Sequence, residues 1–282
     1  MKLRRKLSWD SRPACQPRFV RLQNVLAEVT QFGQGEPIVL IPGLAGGSRL
    51  LMPLAERLAE RHSVWVIGSP AERSFVSSRP LVTLSDHAAY VAELVEALGL
   101  ERPTVVGVSF GAAVALHLAL ERPHVAGALA LSGIEAVFSH RPVARMLSRL
   151  LERYPLPADH PFLNQFFNLL HASRDDAHTS LARFVIECCW ETDQVEIARR
   201  LRMLESYDVS EDVHRVEVPT LIFAGAADAI VPPARQRALA EAMCDARFVQ
   251  QPRAGHLAFL SHRQEFAQRI AELVDSREAA VV

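Results

Sequence analysis

One short segment restricts the possible folds of this chain more than any other. Thr104-Val-Val-Gly-Val108 is a continuous apolar run of strand-forming residues, and Ala112 to Leu120 is apolar nearly all round. The first reads as a strand buried on both faces and the second as a buried helix. Only Gly107-Val-Ser-Phe-Gly111 joins them. A turn that tight forces the serine into a strained backbone conformation. It also brings the helix start against the strand, so that side chains at 107 and 111 would collide with their surroundings; glycine at both positions removes them. The Ser109 hydroxyl then projects beyond the strand end, beside the positive end of the helix dipole. The pentapeptide alone is a common kind of turn. Its strand-to-helix setting is what favours a nucleophile over a purely structural turn.

The same alternation recurs along the chain. Ile38-Val-Leu-Ile41 and Val64-Trp-Val-Ile67 read as buried strands, and Leu51, Leu54 and Leu58 recur at helical spacing between them. Thr83 and Asp86 form a helix-start signature. Val91, Leu94, Val95 and Leu98 follow on one face, and Gly99 marks the stop. Val125 to Leu131 reads as a further strand. After residue 215, Thr220-Leu-Ile-Phe223 and Arg247-Phe-Val249 read as strands. Pro232-Pro233 opens a helix through Met243, and Phe266, Ile270, Leu273 and Val274 define a last one. The expected class is therefore α/β, with a mostly parallel central sheet flanked by helices on both faces.

Residues 135–215 break the rhythm. They lack a buried-strand run and read as helices carrying Phe162, Phe166, Phe167, Leu169, Leu170, Phe184 and Trp190. The expected organisation is a flexible basic segment over 1–18, a core formed by 19–134 and 216–282, and a helical insertion over 135–215 that caps one end of the sheet. Arg141, Arg145 and Arg183 are the charges in that insertion that could turn toward a site beneath it.

The 31 basic and 32 acidic residues leave a net charge of -1, which argues against a nucleic-acid partner, since phosphate binding needs clustered Lys and Arg. The one basic cluster, Lys2, Arg4, Arg5 and Lys6, is not followed by the apolar stretch of an export signal, so a solvated terminus is the expectation. No apolar run approaches the roughly 20 residues of a membrane span. Cys15, Cys188, Cys189 and Cys244 show no metal-ligand spacing. With no export signal they are expected as reduced thiols in a cytoplasmic protein. No HExxH or clustered His/Asp pattern suggests a metal, and His160, His171 and His178 read as solvated. The glycine-rich Gly43 to Gly47 lacks the endings of phosphate-binding loops. No cofactor is expected, and oligomeric state is not readable.

With these motifs in order, the chain resembles the α/β-hydrolase family over roughly residues 36–275. Ile41-Pro-Gly-Leu-Ala-Gly-Gly47 sits where that family carries its oxyanion loop. Gly225-Ala-Ala-Asp-Ala-Ile-Val-Pro232 resembles its acid-bearing loop, and Ala254-Gly-His256 its histidine loop. The order Ser, Asp, His is the family's. The resemblance implies a serine hydrolase with Ser109 as nucleophile, His256 as general base and Asp228 as the acid that orients it. It assigns the oxyanion hole to the backbone N–H groups of Leu44 and Phe110. Glu135, after another strand end, is the runner-up acid, because some members place theirs there.

Each role has a plainer alternative: a surface histidine among 11, or an aspartate that only orders a turn. Position after Gly255, and between Leu221-Ile-Phe223 and Val231-Pro232, favours the functional reading. Two departures stand out. Pro42-Gly43 replaces the common His-Gly, and Gly68-Ser-Pro-Ala-Glu-Arg-Ser74 differs from the family's usual rim loop. The activity implied is cleavage of an ester or similar acyl bond of a small, partly apolar substrate. Acyl transfer with the same residues, and a silent binding protein on the same scaffold, are the alternatives.

Overall fold

A computed structural model describes residues 17–68, 76–77, 80–138, 142–154, 156–157, 160–161, 170 and 176–281. Among the described residues nine strands form one sheet: β1 (Arg18–Arg21), β2 (Val25–Phe32), β3 (Pro37–Ile41), β4 (Ser63–Ile67), β5 (Val76–Ser77), β6 (Thr104–Val108), β7 (Ala128–Ser132), β8 (Thr220–Gly225) and β9 (Ala246–Gln251). Their order is β1-β2-β4-β3-β6-β7-β8-β9, with β5 on β2. Every pairing from β4 across to β9 is parallel, while β2 pairs antiparallel with β1, β4 and β5. The class expected from the alternating apolar runs is the one observed.

The described helices are α1 (Met52–Leu58), α2 (Leu84–Ala97), α3 (Phe110–Glu121), α4 (Pro142–Arg153), α5 (Asp176–Trp190), α6 (Gln194–Glu205), α7 (Pro233–Ala242), α8 (Ala258–Ser261) and α9 (Arg263–Val281). Strand pleating sends alternate residues to opposite faces. Val39 and Ile41 of β3 join the core built with Val91, Leu94 and Val114, while Ile38 and Leu40 join the one built with Leu54, Phe266 and Ile270. Both faces are thus covered, which is why the central strands read as unbroken apolar runs.

Local signals act as expected at several ends. Thr83 Oγ1 accepts from Asp86 N at 3.0 Å and the Asp86 carboxylate accepts from Thr83 N at 3.0 Å, closing a reciprocal cap on α2. At the other end Gly99 adopts φ +65°, and the Gly99 and Leu100 N–H groups bond back to Glu96 and Val95. One boundary differs. β7 starts at Ala128 rather than Val125, because Val125 N–H bonds back to the Arg122 carbonyl and Gly127 N–H to that of Pro103. β1 and β2 lacked an apolar run to announce them. In β2 Val25, Ala27 and Val29 are buried in alternation with half-exposed Leu26 and Glu28, and the buried Thr30 and Phe32 follow on either side of half-exposed Gln31.

Between β7 and β8 the described helices are α4, α5 and α6, followed by a short 3-10 turn at Val213–Arg215. The two ends of this stretch are stitched together: Phe138 N–H bonds to the Tyr207 carbonyl and Val209 N–H to that of Ala136. Residues 1–16, the rim-loop residues Ser69 to Ser74, Arg141, His171, the side chain of His178, and Phe162, Phe166, Phe167 and Leu169 lie outside the described residues. Leu170, Phe184 and Trp190 pack into the core that includes α1 and α9. No helix among the described residues is long and apolar enough to cross a membrane.

Candidate active site

β6 enters a turn at which Ser109 takes φ 51° and ψ -115°, a region that a residue with a Cβ rarely occupies. The turn closes because nothing projects from its glycines. A Cβ on Gly107 would lie 2.5 Å from the Gly111 carbonyl oxygen, and one on Gly111 would lie 2.4 Å from that of Ile41. The Ser109 N–H is held by the Ser132 carbonyl at 2.8 Å, which ties the turn to the end of β7. Helix α3 starts at the next residue, so its first N–H groups, with no carbonyl a turn behind them, open toward the serine.

Two further loops converge there. A Cβ on Gly225 would meet the Gly255 carbonyl oxygen at 2.1 Å, so the loops after β8 and β9 touch. This contact brings His256 and Asp228 together, both buried. His256 Nε2 lies 3.0 Å from Ser109 Oγ, and Nδ1 lies 3.0 Å from Asp228 Oδ2. Asp228 Oδ1 accepts from the N–H groups of Ile230 and Val231, both at 2.9 Å. With the Nδ1 proton shared with Asp228, Nε2 is left as the acceptor for the serine hydroxyl. Such a chain can move a proton from oxygen to nitrogen and stabilise the charge that results.

Glu135 is not the carboxylate on His256. It is buried and paired with Arg235 at 3.0 Å.

Several residues that the sequence did not single out support this arrangement. Gln236 is fully buried. Its Nε2 donates to Asp228 Oδ2 at 3.1 Å and to the Val231 carbonyl at 2.8 Å, while its Oε1 accepts the Gly133 N–H at 3.0 Å. Gly133, at φ +72°, lies against the imidazole; a Cβ there would be 2.7 Å from His256 Cε1. Neither had a distinguishing signal. Gln236 sits in an ordinary helical sequence, and Gly133 reads as a strand-end turn.

The Gly43–Leu44 loop packs on the nucleophile turn, with a Cβ on Gly43 falling 3.6 Å from Ser109 Cβ. Two groups from the helical stretch hold this loop. Thr192 Oγ1 accepts the Gly46 N–H at 2.9 Å, and Arg200 Nη1 donates to the carbonyls of Gly43 at 3.0 Å and Leu44 at 3.3 Å. Arg200 is almost wholly buried, and its guanidinium lies 5.1 Å from the Phe110 ring centroid. His87 meets the same ring edge-on at 5.1 Å. Burial, with the Arg200 charge adding to it, lowers the His87 pKa to about 3, so this imidazole stays neutral. Among the described residues of the helical stretch, the buried cation is Arg200. Of the arginines expected there, Arg145 and Arg183 are exposed.

Ser109 and His256 open into a cavity of about 240 Å³. Leu147, Leu170, Leu201 and Leu204 line it from the helical stretch, and Leu50 and Phe259 from the sheet side. None of its described lining residues is Asp, Glu, Lys or Arg. Cys189 also lines it, and burial pushes its thiol far above the ordinary range, so it is an inert part of the wall. Among the described residues no three His, Cys, Asp or Glu side chains are grouped as metal ligands would be.

The profile of the Alpha/beta hydrolase family matches residues 38–269. The chain belongs to this family. It is 29% identical over 262 residues to the pimeloyl-[acyl-carrier protein] methyl ester esterase of Chromobacterium violaceum, covering 88% of this chain and 98% of that protein. It is 28% identical over 261 residues to polyketide synthase ThaQ of Burkholderia thailandensis; the match covers 88% of this chain but only 12% of that much longer protein. The thermophilic esterase of Thermogutta terrifontis superposes with a TM-score of 0.83 at 21% identity, covering 93% of this chain and 99% of that one. That likeness is one of fold.

Proposed function

We propose that this α/β-hydrolase cleaves carboxylic esters of small, partly apolar molecules through an acyl-enzyme on Ser109. The observation that carries the reading is the 3.0 Å approach of His256 Nε2 to Ser109 Oγ at the wall of an apolar cavity. Ser109 Oγ attacks the ester carbonyl carbon as His256 Nε2 takes its proton. Asp228 keeps the ring in the required tautomer and stabilises the imidazolium. The N–H groups of Leu44 and Phe110 receive the oxyanion, an arrangement whose individual donors are typically worth about 10² to 10³ in rate. As the tetrahedral species collapses, His256 returns the proton to the departing alcohol. Water, deprotonated by the same imidazole, then attacks the acyl carbon; the Ser109 Oγ–acyl bond breaks, Oγ takes that proton back from His256, and the acid leaves. The reaction as written needs no cofactor.

The similarity to a methyl ester esterase supports the choice of bond, and the apolar cavity supports an apolar acyl group. In this reading residues 19–134 and 216–282 are the catalytic core, and 135–215 is a cap that roofs Ser109. Burial of each acyl CH₂ contributes roughly 0.8 kcal/mol, or about tenfold in kcat/KM for every two carbons while the cavity has room. A panel of p-nitrophenyl esters from acetyl to decanoyl tests the reading. kcat/KM is expected to climb to medium chains and then fall, and Ser109→Ala is expected to abolish turnover. A flat profile, or a preference for anionic esters, would contradict the apolar assignment, and an active Ser109→Ala would contradict the mechanism.

A further inference from the structure

The geometry points to Arg200 as the positioning residue of the oxyanion hole, aiming and polarising the Leu44 N–H through the peptide bond that this N–H shares with the Gly43 carbonyl. The inference rests on the reading of Leu44 as an oxyanion donor. The Gly43 C=O and the Leu44 N–H belong to one peptide unit, and the chain contains no cis peptide bond among its described residues. In a trans peptide these two groups point in opposite directions. A donor fixed on the Gly43 oxygen therefore fixes where the Leu44 hydrogen points on the other side. That donor is Arg200 Nη1, at 3.0 Å, with a second bond to the next carbonyl, Leu44, at 3.3 Å.

Charge adds to aim. A cation hydrogen-bonded to a carbonyl withdraws electron density from the amide, so the N–H at the far side becomes a stronger donor; in a buried setting such polarisation is not screened by water. Arg200 is 1% exposed. The same guanidinium covers the face of Phe110, 5.1 Å from its ring centroid, and Phe110 supplies the second proposed donor from the first turn of α3. One side chain thus braces both halves of the hole, from a helix 157 residues away from Gly43 in sequence. Neutral His87, edge-on to the same ring, adds no competing positive charge. Neither Pro42 nor Gly43 has a polar side chain that could brace this peptide, and Arg200 braces it from outside the loop.

A group acting on an oxyanion donor matters when the oxyanion exists, not when the neutral ester binds. Arg200→Met is therefore expected to lower kcat by about 10²-fold with KM within about threefold. It should weaken a reversible alkyl boronic acid, which forms a tetrahedral anion on the serine, by a similar factor. Arg200→Lys keeps a charge near the carbonyls and loses the flat face on Phe110, so it should recover part of the loss. All rates are taken per active site, counted by stoichiometric fluorophosphonate labelling at Ser109. A merely structural arginine would reduce the number of active sites and the melting temperature and leave kcat per site and boronate affinity unchanged; that result overturns the inference. A loss confined to KM overturns it too. Should Arg200→Met not fold, the same two readouts on Arg200→Lys decide, with parallel falls expected and unchanged values refuting. If wild type is not labelled at Ser109, the proposed function fails, whatever the arginine does.

Discussion

Gly133→Ala tests how closely the proposed base is held. The backbone at 133 has φ +72°, where alanine costs about 1 kcal/mol relative to glycine. That corresponds to a few degrees in melting temperature for a chain of this size. The local effect is far larger. The new methyl would stand 2.7 Å from His256 Cε1 and 3.1 Å from Nδ1, whereas ordinary contact begins at 3.4 Å. Gly133 cannot easily retreat, because its N–H is fixed on buried Gln236. The imidazole must then move by about 1 Å, which stretches the 3.0 Å contact to Ser109 beyond hydrogen-bonding range. Misplacement on that scale costs about 10² in rate. Steady-state kinetics on a medium-chain ester, with circular dichroism and a melting curve on the same sample, is the assay. A folded variant with kcat down about 10²-fold is expected. A variant within threefold of wild type would show that the ring is not confined by residue 133.

Other expected outcomes follow from the same contacts. Asp228→Asn should lower kcat by about 10⁴, by removing the acceptor that fixes the His256 tautomer. Glu135→Gln should alter kcat by less than about tenfold, because Glu135 faces Arg235; the reverse ranking in kinetic assays would move the acid to Glu135. Leu147→Trp should shorten the preferred acyl chain and spare acetyl esters, since Leu147 lines the cavity; an unchanged chain-length profile would place the acyl group elsewhere. His87 binds its proton less readily folded, at about 3, than unfolded, near 6.5, so the unfolded state holds more protons between these values. Stability should therefore fall as pH drops from about 6.5 toward 3, by at most about 5 kcal/mol from this group. Urea titrations across that range should show His87→Phe losing less stability than wild type, and parallel losses would refute the cause.

Much of this architecture was legible because it is written in local pattern. Strands buried on both faces leave unbroken apolar runs, so β3, β4, β6, β7 and β8 could be read directly, and tight turns demand glycine, so the Ser109 turn stood out. β1 and β2 sit at the antiparallel side of the sheet; β1 is largely exposed and β2 interleaves buried with half-exposed residues, so neither leaves an unbroken apolar run. The support around the site was invisible for a different reason. Arg200 lies in Arg199-Arg200-Leu201-Arg202, where each arginine looks equally solvated. Only the packing of α6 against the Gly43–Leu44 loop buries one of them. Thr192 and Gln236 likewise have ordinary sequence surroundings and gain their meaning from partners 146 and eight residues away. The sequence offers Arg141, Arg145 and Arg183 equally as inward cations. Facing direction depends on helix rotation, and Arg145 instead pairs outward with Glu205.

The proposed mechanism requires a covalent acyl group on Ser109. Rapid acid quench during turnover of a slow medium-chain ester, followed by intact mass measurement and peptide mapping, tests it directly. One acyl unit per chain is expected, on the peptide and at the residue Ser109, formed in a burst and lost at the rate of steady-state turnover. An adduct on any other residue, or turnover with no acyl-enzyme detectable under conditions where product release is shown not to precede the quench, would contradict it.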